Sequence, residues 1–220
     1  RRFAREGYHV FAGRRNGEKL APLVAEIEAA GGACTGLSLD ARQADAVADF
    51  MRRADAAAPL DVVVFNIGAN VNFPLLDTTE RVFRKVWELA CYAGFLTGRE
   101  AARYMLARGR GSIFFTGATA SVRGGDGYAA FASAKFGLRA VAQSMARELG
   151  PRNIHVAHLV IDSGVDTEWV RQRMAARGIA AEERVLMSPA SIAETYWQLH
   201  LQPHDAWTHE LDLRPGRETW

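Results

Sequence analysis

The residues best equipped for chemistry lie between Ser112 and Gly137. Tyr128 carries a phenol and Lys135 an ammonium, with Phe131 between them at i+3. On a helix these three project from one side. A phenol is a proton donor, and general acid–base catalysis by such a group typically contributes about 10²–10⁴-fold. The plainer use of Tyr128 is as a packing aromatic at a pocket mouth. Further polar groups close apolar runs elsewhere. Arg14 and Arg15 follow the run at 8–12, Asp40 the run at 33–39, Asn66 and Gly68 the run at 60–65, and Thr167 the run at 154–161. Guanidiniums suit phosphates, and small residues such as Gly68 admit close backbone approach. Each also has an ordinary use: a solvated arginine turn, an N-cap for Asp40 and Thr167, a strand-end turn for 66–69.

The elements that must position these groups are legible. Ser112–Thr116 is β-prone and bounded by Gly111 and Gly117, and Gly124, Gly125 and Gly127 then give a loop without side-chain bulk. Beyond it Phe131, Leu138, Val141 and Met145 follow helical spacing. Strands are predicted at 8–12, 33–39, 60–65, 154–161 and 207–213. The run Leu60–Phe65 is continuous and β-branched, as in a strand buried on both faces. Helices are predicted from Asn16 to the glycines at 31–32, over 43–56, from a capping box at Asp77–Glu80 to about Arg108, over about 167–176, and from Ser188 to about His200. Arg1–Gly7 reads as the tail of a helix capped by Gly7. Strand and helix alternate, which predicts one α/β domain over 1–220, a doubly wound parallel sheet of Rossmann type. Arg14 and Arg15, with no acid beside them, would favour a 2′-phosphate if the end of the 8–12 strand meets the adenosine ribose, so NADP(H) is expected, with NAD(H) the alternative.

The stretch 112–137 resembles the short-chain dehydrogenase/reductase family, and the resemblance extends over the whole chain. Ser133, Ala134 and Lys135 match the end of that family's Tyr-x-x-x-Lys segment. The family's Tyr falls on Phe131, its Ser, thirteen positions upstream, on Ala118, and its helix Asn on Cys91. The resemblance implies that Lys135 holds the nicotinamide ribose. It also implies that Asp40 lies near the adenine, that Asn66 and Gly68 border the cofactor, and that Thr167 contacts its nicotinamide or pyrophosphate end. Phe131 cannot transfer a proton and Ala118 cannot hydrogen-bond, so an oxidoreductase of low or altered activity is expected. Thr116, Thr119 and Tyr128 are the polar neighbours, and Tyr128 is the candidate surrogate donor, set against its use as a packing aromatic. The alternative is a cofactor-binding or regulatory module without turnover. The family's first strand and Gly-rich loop would lie upstream of Arg1. Its members commonly pair through two helices, so a homodimer or homotetramer is expected, built on Ala90, Ala93, Gly94, Ala101, Ala102, Ala140 and Ala142.

Bulk properties agree. The 220 residues are 49% hydrophobic with net charge +2, and the charges form no basic stripe that would call for nucleic acid. Cys34 and Cys91 make no disulfide framework, no run approaches a membrane span, and a cytoplasmic protein is expected. His200, His204, His209 and Glu210 fit no metal-ligand spacing, so no metal is expected. No Gly-x-Ser-x-Gly is present to suggest a serine hydrolase.

Overall fold

The computed structural model describes residues 1–176, 178–179 and 186–217. In chain order the elements are α1 (Arg2–Arg5), β1 (His9–Arg14), α2 (Ala21–Ala29), β2 (Ala33–Ser38), α3 (Ala44–Ala57), β3 (Val62–Phe65) and α4 (Glu80–Trp87). Then come α5 (Ala93–Arg108), β4 (Gly111–Thr116), α6 (Ala129–Leu149), β5 (Ile154–Ile161), α7 (Glu168–Ala175), α8 (Pro189–His200) and β6 (Glu210–Leu213). Among the described residues all strand pairings are parallel. β1 pairs with β2, and β3, β4, β5 and β6 form a second sheet in that order. The fold is thus the expected Rossmann-like α/β class, with its described strands divided between two sheets.

The apolar residues explain the layering. β4 and β5 are the interior strands of the larger sheet, and β5 is buried along its whole length. Such strands carry apolar side chains on both faces. One face packs Val63, Phe65, Ile113 and Phe115 against Leu96 and Met105 of α5 and Leu138 of α6. The other packs Phe114, Ala157 and Leu159 against Tyr196 and Leu199 of α8. Among the described residues no helix is long and apolar enough to cross a membrane.

Several local expectations change. The first long helix begins at Ala21 rather than after Asn16, because a 3₁₀ turn at Gly17–Leu20 precedes it and Asn16 makes no side-chain cap. The cap at 77–80 is Thr79, whose Oγ1 accepts from the Val82 amide, a contact worth about 1 kcal/mol. The helix it opens is interrupted by a π-helical turn at Glu88–Tyr92. Six of the seven small residues assigned to a subunit interface are buried inside the fold, and only Ala140 is exposed. Their small size serves the packing of α5 and α6 on the sheet. The exposed part of this helix pair is instead a groove of about 600 Å³ lined by Phe95, Arg99, Leu106, Ala140 and Met145, among others.

Candidate functional site

In a doubly wound sheet ligands sit outside the carboxyl ends of the strands. At that end lies Lys135, on the second turn of α6 and almost fully buried. Its Nζ donates to the carbonyl of Thr116 at the tip of β4 (2.8 Å) and, at 3.4 Å, to that of Ile67 just beyond β3. The ammonium lies 5.9 Å from the centre of the Phe131 ring. Among the described residues no carboxylate pairs with it. Burial pushes its pKa down to about 8. An ammonium has three donors, and the two carbonyls engage two of them. A buried cation without a counter-ion costs stability.

Phe131 and Ala118 stand beside this lysine's anchors. Phe131 is buried. Ala118, two residues after Thr116, precedes a 3₁₀ turn at Thr119–Ser121, and its amide donates to Ser121 Oγ (3.1 Å). Tyr128 does not continue the helical face. It is the N-cap of α6 with non-helical φ and ψ, its ring 6.5 Å from that of Phe131 and packed over Gly125. The glycine-rich loop is fixed to the segment after β3: Asn72 donates to the Asp126 carbonyl, and the Phe73 amide to that of Gly127. Cys91 occupies the π-helical turn, and its sulfur fills the space beside Gly137. Burial raises the Cys91 thiol pKa, so it is an apolar filler and not a thiolate.

The remaining sequence candidates spread along the sheet end. Asn66 and Gly68 are exposed just beyond β3, and a Cβ at Gly68 would meet nothing within 4 Å. Arg14 and Arg15 are exposed at the end of β1 and make no ion pair among the described residues. Asp40 is engaged by Arg42, which donates to both carboxylate oxygens (2.9 and 2.6 Å) and holds the carboxyl below its usual range. Thr167 caps α7 through the Val170 amide (3.3 Å). The chain's free donors at this end, the buried Lys135 and the unpaired arginines, fit a nucleotide carrying ribose hydroxyls and phosphate.

Two buried polar groups here were not expected from sequence. Thr119 Oγ1 donates to Asp162 Oδ1, and Asp162 Oδ2 accepts from Arg214 (2.8 Å). Behind them His158, fully buried on β5, hydrogen-bonds through Nδ1 to Glu210 (2.9 Å), which Arg139 of α6 grips with two nitrogens. Burial pushes the His158 pKa down to about 4. Its Nε2 has no partner and faces Gly117. Asp162 was visible only as one polar residue in a strand-end run. Arg139 and Glu210 are far apart in sequence, and only the β5–β6 pairing joins them. His155, on the opposite face, stacks on Trp207, and its Nε2 bonds the Thr208 carbonyl (2.8 Å).

Known proteins share this architecture. A short-chain dehydrogenase from Rhodopseudomonas palustris is 64% identical, with a TM-score of 0.84 over 97% of this chain and 89% of its own. A metagenomic short-chain oxidoreductase in complex with NADP is 25% identical, with a TM-score of 0.81 over 98% of this chain and 89% of its own. An uncharacterized oxidoreductase of Bacillus subtilis, YuxG, is 29% identical over 193 residues, which are 83% of this chain but only 28% of that protein. The model of the short chain dehydrogenase family matches residues 1–178, spanning every strand from β1 to β5, the lysine helix, Ala118 and Phe131. With the parallel sheet, the buried Lys135 at its carboxyl end and this match in agreement, the chain belongs to the short chain dehydrogenase family.

Proposed function

We propose that the protein is a nicotinamide-dependent oxidoreductase acting on a small carbonyl or alcohol substrate, with NADP(H) preferred over NAD(H). The observation that carries this reading is Lys135: a buried ammonium held by two carbonyls, with a donor left over and, among the described residues, no carboxylate to neutralise it. Lys135 would hold the ribose next to the nicotinamide. Asn66 and Gly68 would border the cofactor, and Thr167 would approach its nicotinamide or pyrophosphate end. The unpaired Arg14 and Arg15 would receive a 2′-phosphate, and Asp40, oriented by Arg42, would lie at the adenine. The cofactor, when bound, supplies the hydride chemistry. The chain's own contribution is binding, orientation and the fate of one proton.

Phe131 in place of a phenol and Ala118 in place of a hydroxyl lower the rate with simple ketones, by up to the roughly 10²–10⁴-fold that acid–base catalysis contributes. Two copies would pair through the α5–α6 face, because exposed apolar groups such as Phe95 line its groove. The test is NADPH and NADH titration of the full-length protein, followed by a carbonyl and alcohol panel. Tighter NADPH binding with slow turnover supports the reading. Absence of nucleotide binding defeats it.

A further inference from the structure

Among the polar side chains at the tips of β4 and β5, most are already committed. Thr116 Oγ1 is bonded to the Tyr196 hydroxyl (2.6 Å), Ser121 is fully buried, and His158 is tied to Glu210. Thr119 is different. It is half-buried, three residues beyond the carbonyl that holds Lys135, and its hydroxyl donates to a carboxylate that is itself buried. A hydroxyl that has given its proton to a carboxylate keeps its lone pairs for a donor from outside. Asp162 is fixed from three directions: its amide bonds the Leu213 carbonyl (2.9 Å), one carboxylate oxygen takes Thr119, and the other takes Arg214. Arg214 in turn contacts Asp212 (3.1 Å) and offsets the buried negative charge.

We propose that Thr119 and Asp162 are the proton-handling pair of this site, taking the role a phenol at position 131 would have. The proposal rests on the oxidoreductase reading above. In the oxidative direction the substrate hydroxyl donates to Thr119 Oγ1. As the carbonyl forms, that proton passes to Thr119 Oγ1 while Thr119's own proton passes to Asp162 Oδ1. The carbinol hydrogen leaves with its electron pair as the hydride that oxidised nicotinamide accepts. The products are a ketone or aldehyde, reduced nicotinamide and a neutral Asp162 carboxylic acid, so atoms and charge balance. Reduction runs the same path backwards. Thr119 is the catalytic residue in this scheme, and Asp162 acts through it. A phenol is therefore not required, and Phe131 is free to pack against the Lys135 ammonium.

The experiment compares full-length wild type with Thr119→Val, Thr119→Ser, Asp162→Asn and Lys135→Ala. NADPH binding is followed by nucleotide fluorescence, melting temperature by calorimetry, and turnover on a panel of secondary alcohols and ketones. The expected result is NADPH affinity within about twofold of wild type for the Thr119 and Asp162 variants. Turnover at saturating cofactor and substrate falls by about 10²-fold in Thr119→Val and Asp162→Asn, and Thr119→Ser restores it to within a few-fold. Full turnover in Thr119→Val or Asp162→Asn overturns the pair. So does loss of NADPH binding or melting temperature in parallel with activity, shared by Thr119→Ser, which would make the contact a structural clamp. A wild type that binds NADPH but turns over no member of the panel overturns the pair while leaving the cofactor reading intact. A wild type that binds no nucleotide removes both.

Discussion

Lys135→Met should make the ligand-free protein more stable while removing its capacity to bind nucleotide. Methionine has similar length and no charge, so it fits the same channel along α6. The lysine pKa falls from 10.5 to about 8 because burial disfavours the charged form. At 1.36 kcal/mol per pKa unit, the cost of carrying that charge in the fold is about 3 kcal/mol. Against this, the variant loses a charge-assisted hydrogen bond to the Thr116 carbonyl, worth about 1–2 kcal/mol. The net expectation is a gain of about 1–2 kcal/mol at pH 7, or roughly 2–8 °C in melting temperature for a chain of this size. The sign with pH follows from linkage. The folded value lies below the unfolded one, so the unfolded state binds more protons between about pH 8 and 10.5, and wild-type stability from this group rises over that window. The advantage of the methionine variant should therefore shrink as pH rises from 8 to 10.5. Urea denaturation at a series of pH values measures it. A variant less stable than wild type at pH 7, by an amount independent of pH, would refute the view that Lys135 is kept for a ligand at the expense of the fold.

The close approach of Gly117 to His158 gives a second expectation. A Cβ there would lie 2.4 Å from His158 Nε2 and 2.9 Å from Ser121 Oγ, so Gly117→Ala should cost about 1–3 kcal/mol in denaturant unfolding. Adding His158→Ala should recover part of that cost in a double-mutant cycle. His158 itself, with its pKa at about 4 against an ordinary 6.5, contributes stability that is present above pH 6.5 and lost as pH falls towards 4. The contribution amounts to about 3 kcal/mol, and His158→Gln should flatten this acid slope in unfolding curves. Sedimentation of the full-length protein should give a dimer or tetramer at micromolar concentration, and Phe95→Glu on α5 should shift it towards monomer.

The fold was readable because periodicity and punctuation agreed. The continuous apolar runs at 60–65 and 154–161 became β3 and β5, and Ser188 and Pro189 opened α8 where expected. Lys135 was readable from the resemblance of Ser133-Ala134-Lys135 to the end of a Tyr-x-x-x-Lys segment, and α6 carries it to the sheet end. Tyr128 was misplaced because one-sidedness was counted through a residue that precedes the helix; Gly127, at φ +75, turns the chain there and the helical register starts only at Ala129. The π-helical turn left no signal in a pattern that assumes 3.6 residues per turn. The Thr119–Asp162–Arg214 and His158–Glu210–Arg139 groups were hidden for a different reason. Each joins side chains whose meeting depends on strand order and register, which no local pattern encodes.

Nucleotide titration of the full-length protein tests the central claim most directly. Fluorescence of NADPH should saturate on binding, NADH should bind more weakly, and Lys135→Ala should weaken NADPH binding by at least tenfold, the equivalent of about 1.4 kcal/mol. NADPH binding that is absent, or that is unchanged by Lys135→Ala, would contradict the assignment of this buried lysine as the anchor of a nicotinamide cofactor.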